Sequence, residues 1–360
     1  MLCRWARPAR VYRHPTRHSK GRFMAAMLSG SRPRRVSVGH GGAPTIRPVH
    51  VLIPYVHTGL AACDDLLPQL PLPQWRALLS RLHTHPPLIR DDFDRSTPLE
   101  CVLAQAYGWP IEDGGLPFAA LLAAQAGLPL AGIGWGRLTP MHWHAGRDHL
   151  TAVPLVPDAD DEADLRELFV VAQDVFTSVG WRLEWLHADT WLLGHASLVH
   201  LPTASVDRVL HRNPDAWMPD HPAAGTLKRL QMELQMLWYE HPVNDRRSAR
   251  GALPINTVWL SDCGAYRAPQ AGAEHDVVVV DVLRRGCWRG DAQAWAQGWQ
   301  HIETDIADML RRRLDEGQDV CVTLCALRAS RTWGPQGRPW WRRLVGARHA
   351  SDWVALAGDL

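Results

Sequence analysis

Residues 276–327 read DVVVVDVLRRGCWRGDAQAWAQGWQHIETDIADMLRRRLDEGQDVCVTLCAL, two β-branched apolar runs separated by an amphipathic stretch. The runs at 276–283 and 319–327 have the length and composition of buried strands. Between them, residues 291–314 place Trp295, Trp299, Ile302, Ile306, Met309 and Leu310 on one helical face, and Gly317 stands where a C-terminal cap belongs. Strand, helix and strand in this order form a βαβ unit, with a right-handed crossover and parallel strands if the two share a sheet. Cys321 and Cys325 then point to the same face about 13 Å apart by the strand rise, beyond disulfide reach.

The same alternation continues upstream. Residues 49–56 form an apolar strand, and 162–178 form a helix with Leu165, Leu168, Phe169, Ala172, Val175 and Phe176 on one stripe. Residues 181–186 and 190–193 read as a hairpin. Thr97-Pro98-Leu99-Glu100 is a capping box with proline at the first helical position, which predicts a helix over 98–107. Residues 114–136 carry no charge, enough to span a bilayer if helical throughout, but Gly127, Pro129, Gly132 and Gly134 divide them into a short helix over 118–126 and a buried strand. The expected fold class is therefore α/β, a mixed sheet with flanking helices and a C-terminal βαβ unit.

The chain has 360 residues, 46% hydrophobic and 21% charged, which excludes a disulfide-stapled miniprotein and a wholly disordered chain. Seven cysteines with no CxxC pair argue against a disulfide framework or a zinc knuckle, and the expected compartment is the cytoplasm. Residues 1–47 have no hydrophobic period and no acid, and are expected to be a basic head outside the fold or an over-extended start. Residues 48–360 are expected to form a single body, with a subdivision near 195–265. Beyond residue 50 there are 28 basic against 37 acidic side chains, a balance of −9 that disfavours nucleic acid as a partner of the folded body. No membrane partner is expected, and no protein partner is indicated. Arginine outnumbers lysine 37 to 2, so a lone arginine carries little weight. Most of the 18 tryptophans should be core, each wanting a partner for its indole N–H, while Trp340 and Trp341 beside Arg342 and Arg343 could form a surface patch.

Candidate chemistry is sparse. Nucleophile-elbow, phosphate-loop and HExxH patterns are absent, and Ser261-Asp262-Cys263-Gly264 offers a nucleophile without a base. No cofactor is expected, with a divalent metal as the alternative: His142 and His144 share a face if they lie on a strand, and Asp148 or His149 follows in the next turn. The competing reading is hydrogen-bonded structural imidazoles. The densest donor region surrounds an amphipathic helix over 226–239, with Leu227, Leu230, Leu234, Leu237 and Trp238 on its stripe and Gln231 off it. Arg208, Arg212, His241, Asn244, Arg246 and Asn256 flank that helix and form the candidate ligand site, suited to a small phosphorylated or carboxylic anion. Equally, the arginines could pair with Asp207, Asp215, Asp220 and Asp245 while the asparagines cap turns.

Several landmarks here resemble the RpfE-type regulatory proteins of proteobacteria. They are ThrAlaSer-x-AspArg at 203–208, RLQMELQM at 229–236, HisProValAsn at 241–244, ArgGly at 250–251 and Pro-x-Asn-x-x-TrpLeuSer at 254–261. HVLIPYV at 50–56, LTPMHW at 138–143 and VTLCALR at 322–328 extend the likeness over about residues 48–347. The segment 241–256 is also similar to one in the archaeal-type cofactor-independent phosphoglycerate mutases, which implies a distantly alkaline-phosphatase-like fold. It also implies an alternative function, divalent-metal-dependent phosphotransfer by a phosphomutase or phosphoesterase. That superfamily ends its opening strand on a metal-binding aspartate, whereas this strand ends Ile53-Pro54-Tyr55-Val56-His57, with Asp64 and Asp65 later. The resemblance therefore implies a regulatory, non-catalytic relative that keeps a binding segment.

Overall fold

The computed structural model describes residues 10–12, 49–147, 149–157, 161–270 and 276–335. Asp148 and Trp340–Trp341, with most of the basic head, lie outside the described residues. Twelve strands are described: β1 (Arg10–Tyr12), β2 (Val49–Pro54), β3 (His83–Thr84), β4 (Leu88–Ile89), β5 (Gly134–Ala145), β6 (Leu150–Pro154), β7 (Arg182–His187), β8 (Thr190–His195), β9 (Thr257–Ala265), β10 (Asp276–Val280), β11 (Val320–Cys325) and β12 (Ala329–Gly334). They form two sheets. The first runs β1-β10-β2-β11-β12-β3, with β4 also on β12, and it is parallel from β1 to β11 and antiparallel beyond. The second is antiparallel, β6-β5-β8-β7 with β9 on the other side of β5. The α/β class and its mixed sheet with flanking helices are as expected; the division into two sheets is not visible in the sequence pattern.

The βαβ unit is present with one strand interposed. Both β10 and β11 pair in parallel with β2, so Val49 is in register with Asp276 on one side and Val320 on the other. The connecting helix begins at Asp291, whose side chain accepts from Ala294 N, and runs through Ala292–His301, one π turn at Ile302–Ile306 and Ala307–Asp315. Trp295, Trp299, Ile302 and Leu310 are fully buried beneath the sheet with Trp75, and Gly317 adopts φ 76° at the end. An additional helix, Arg284–Arg289, precedes this one. It packs so closely that a side chain on Gly286 would collide with the Trp295 backbone. The opposite face of the first sheet is covered by the helix Pro98–Ala106, which carries the expected capping box and packs Val102 against Leu52, Val277 and Val279.

On the second sheet, the helices Asp161–Ser178 and Pro222–Tyr239 cover one face and Phe118–Gln125 the other. The stripe of Pro222–Tyr239 differs from the expectation by one column. Leu227, Leu230, Leu234 and Trp238 are buried, but Leu237 is 45% exposed and Gln231 is 3% exposed. Gln231 lies four residues after Leu227 and three before Leu234, hence on their face, and its amide donates to Val258 O at 2.7 Å. The tryptophans divide as well. Trp109, Trp135, Trp259, Trp288 and Trp295 donate to oxygen acceptors, whereas the indole nitrogens of Trp75, Trp191 and Trp238 meet none among the described residues. No helix among the described residues is long and apolar enough to cross a membrane.

Candidate functional site

Among the described residues, three besides glycine adopt left-handed backbone: Tyr55 at φ 63°, His211 at 60° and Asp262 at 59°. Each costs on the order of 1–2 kcal/mol for an L residue, so surrounding contacts must hold it. Tyr55 stands at the carboxyl end of β2, the edge at which open α/β sheets take their ligands, and His211 and Asp262 neighbour the same charges through Trp288 and Asp207.

Tyr55 follows directly on β2. Its carbonyl accepts from Trp295 Nε1 at 2.9 Å, and its hydroxyl donates to Asp207, 3.1 Å from Oδ1 and 3.0 Å from Oδ2. Burial first, and then the Asp207 carboxylate, push the phenol well above its ordinary range. Trp288 Nε1 donates to Asp207 Oδ1 at 3.0 Å, and the His211 imidazole is hydrogen-bonded to the Trp288 backbone. Arg284 lies 3.8 Å over the Trp288 ring and pairs with Asp281 at 3.5 Å and Asp189 at 3.8 Å. Burial opposes its charge, but Asp281, Tyr55, Asp189 and Asp207 outweigh that effect and raise its pKa.

A second group adjoins the first through Asp207. Asp262, 8% exposed on β9, pairs with Arg137 of β5 at 2.8 Å. Near it, Glu100 closes the capping box, accepting from Thr97 N at 2.7 Å. Burial, then the Asp262 charge, raise Glu100 to about 8. Beside Glu100 lies Arg208, 1% exposed in the short helix Val206–Val209. Its Nη2 donates to Ser96 O at 3.1 Å, while Nε and Nη1 meet no acceptor among the described residues. Burial lowers its pKa, with Glu100 acting in the opposite direction.

The remaining predicted ligand residues are held by other partners. Arg212 pairs with Asp92 at 3.2 Å. His241 caps the helix Pro242–Ala249, its Nδ1 accepting from Val243 N. Asn244 donates to Trp238 O and Ile255 O and accepts from Ile255 N, clamping the chain after that helix. Asn256 makes the same kind of clamp on the Trp143 backbone, accepting from its N–H at 2.7 Å and donating to its carbonyl at 2.9 Å. Arg246 pairs with Asp164 and Glu167, joined by Arg247 and Arg250 on Asp161 and Asp164. The six thus have separate sets of partners, and the acids that the arginines use are not Asp207, Asp215, Asp220 or Asp245.

Among the metal candidates, His142 and His144 do share a face of β5, with ring centroids 6.2 Å apart, and His142 Nδ1 is 2.9 Å from Pro254 O. His57 Nδ1 lies 3.3 Å from Asp64 Oδ2 in a separate place. No group of three metal-ligating side chains converges among the described residues. The Cys263 thiol is buried and its pKa pushed up by burial, which removes the thiolate a nucleophile would need.

Tyr55, Glu100, Asp262, Arg137 and Arg284 escaped the sequence reading of the site. Tyr55 and Asp281 were findable as the residues immediately after parallel strands. Glu100 was hidden because its capping role already accounted for it.

No protein-family model and no curated protein matches the chain. Among solved structures, it is similar to the cofactor-independent phosphoglycerate mutase from Thermoplasma acidophilum at 13% identity and TM-score 0.31, over 84% of this chain and 96% of that one. It is also similar to the PH0037 protein from Pyrococcus horikoshii at 12% identity and TM-score 0.42, over 81% of this chain and 88% of that one.

Proposed function

We propose that the chain is a ligand-binding regulatory protein of the RpfE type that takes a small oxyanion, phosphorylated or carboxylic, on Arg208, and that it performs no phosphotransfer. The observation that carries the anion is Arg208 itself: a guanidinium 1% exposed, two of whose three nitrogens meet no acceptor among the described residues. A buried donor without an acceptor costs on the order of 1–3 kcal/mol, and a charge-assisted bond to an oxyanion recovers about 1.5–3 kcal/mol. The regulatory part rests on the motifs between 203 and 261. Against phosphotransfer stands Tyr55, which follows the opening strand where the resembled enzymes carry a metal-binding carboxylate, and which is locked by its own hydroxyl onto Asp207.

Thermal shift of the full chain against phosphorylated and carboxylic metabolites, together with a phosphoglycerate turnover assay in magnesium, manganese or zinc, tests both parts. The expected result is stabilisation by an oxyanion that Arg208→Met abolishes, with no turnover. Turnover that is lost with chelator and with His142→Ala would make the protein an enzyme. Absence of any stabilising oxyanion would remove the ligand assignment.

A further inference from the structure

The helix Pro222–Tyr239 packs one face on the second sheet and leaves the opposite face bare. A helix of this kind normally presents polar side chains to water. Here Met232, Met236 and Tyr239 are 55%, 71% and 83% exposed on that outer face. Together with Arg229 they recur at steps of three, four and three residues, the spacing of a seam between two helices. Contiguous exposed apolar groups of this size mark a contact surface.

The charges beside the seam say what covers it. Lys228 and Arg229 lie in the first half of the helix and Glu240 closes its end, all three exposed. None of the three side chains has a hydrogen bond or ion pair among the described residues. By helical periodicity Arg229 and Glu240 stand on one flank of the two methionines, Lys228 and Tyr239 on the other, and Glu233 lies farther round toward solvent. A basic start and an acidic end make this face complementary to itself when read backwards, which is the condition for a twofold contact. A twofold axis opposite Leu234 sets Met232 against Met236, Arg229 against Glu240 and Lys228 against the Tyr239 ring, and it keeps each flank facing the same flank of the other helix.

We propose that this face pairs two copies of the chain, with their Pro222–Tyr239 helices antiparallel. Each contact then occurs twice, and the partner's charges fall where this chain's own charges need them. A foreign partner would have to carry the same order of charge in reverse, which a second copy supplies without further condition. The pairing is independent of Arg208, which lies on the helix Val206–Val209. A seam of about four helical turns buries less than the roughly 1,200 Å² of a standard interface, so the dimer is a weak one in the micromolar range.

Sedimentation of the full chain from about 1 to about 200 µM should pass from monomer to dimer. Arg229→Glu and Glu240→Arg each bring like charges together at both symmetric contacts, and each alone should weaken self-association about tenfold or more. Mixed in equal amounts, the two variants face each other with opposite charges at both contacts and should associate as tightly as the parent does with itself. Met236→Ser should weaken the parent dimer by removing an apolar contact at the centre of the seam. All three positions are exposed, so the melting temperatures should stay close to that of the parent. A parent that remains monomeric at the highest concentration overturns the proposal. A dimer that both charge variants leave unchanged also overturns it, by placing the contact on another face. Variants that lose association separately and fail to regain it when mixed overturn the antiparallel pairing.

Discussion

Among the described residues, two places bury arginine, and they do so in opposite ways. Where Pro242–Ala249 meets Asp161–Ser178, Arg246, Arg247 and Arg250 face Asp161, Asp164 and Glu167, and Arg247 also donates its Nε to Leu253 O. In the short helix Val206–Val209, Arg208 is buried just as deeply as Arg247 but spends one nitrogen on a backbone carbonyl and leaves two without acceptors among the described residues. The first arrangement is complete in itself, so its charges hold two helices together and need no ligand. The second is incomplete, with one backbone acceptor for three nitrogens. Matched buried charge indicates scaffold, and unmatched buried charge indicates a site.

The comparison breaks first at Asp164. This side chain is 4% exposed, and its loss leaves Arg247 and Arg250 to share Asp161, so Asp164→Ala should lower stability by about 3–5 kcal/mol in urea denaturation. Arg208→Met should do the reverse of what burial suggests. Replacing an under-satisfied buried cation with an apolar side chain of similar length should change stability by no more than about 1 kcal/mol in either direction. If Arg208→Met is as damaging as Asp164→Ala, the two regions are alike and both are scaffold.

Stability against pH sharpens the contrast. The folded protein holds the Glu100 proton up to about 8, while the unfolded chain releases it near the ordinary value of 4.5. The folded state therefore binds more protons across that window, and the stability this proton supplies is present below 4.5 and lost as pH rises through about 8. Chemical denaturation at a series of pH values should show a decline for the parent that is much reduced in Glu100→Gln. The smallest effect belongs to Arg246, half exposed at 48% and engaged with Asp164 and Glu167 at the rim. Arg246→Ala should leave anion binding unchanged and move the melting temperature little.

Much of the fold could be read from periodicity. The apolar runs that became β2, β10 and β11, the capping box at Thr97 and the tryptophan-lined helix after Asp291 are local features whose physical cause lies within a few residues. What stayed hidden depends on pairing between distant segments. Nothing near β10 or β11 says that β2 lies between them, and nothing near Asn256 says that its amide will hold Trp143 across 113 positions. The site suffers from the same limit. Donor density around 208–256 pointed to Arg208 but gave equal weight to Asn244 and Asn256, whose amides close backbone loops. Counting donors along a chain cannot tell which of them the fold leaves unpartnered. Left-handed backbone at Tyr55 has no sequence signature, and at Asp262 only the weak left-handed preference of aspartate.

Sulfate binding by the parent chain and by Arg208→Met, measured by calorimetry near neutral pH alongside the unliganded stability of each, bears most directly on the claim that unmatched buried charge marks the site. The account predicts that the parent binds sulfate, that Arg208→Met does not, and that the two unfold within about 1 kcal/mol of each other. A parent that ignores sulfate, with an Arg208→Met variant several kcal/mol less stable, would contradict it and return Arg208 to the scaffold.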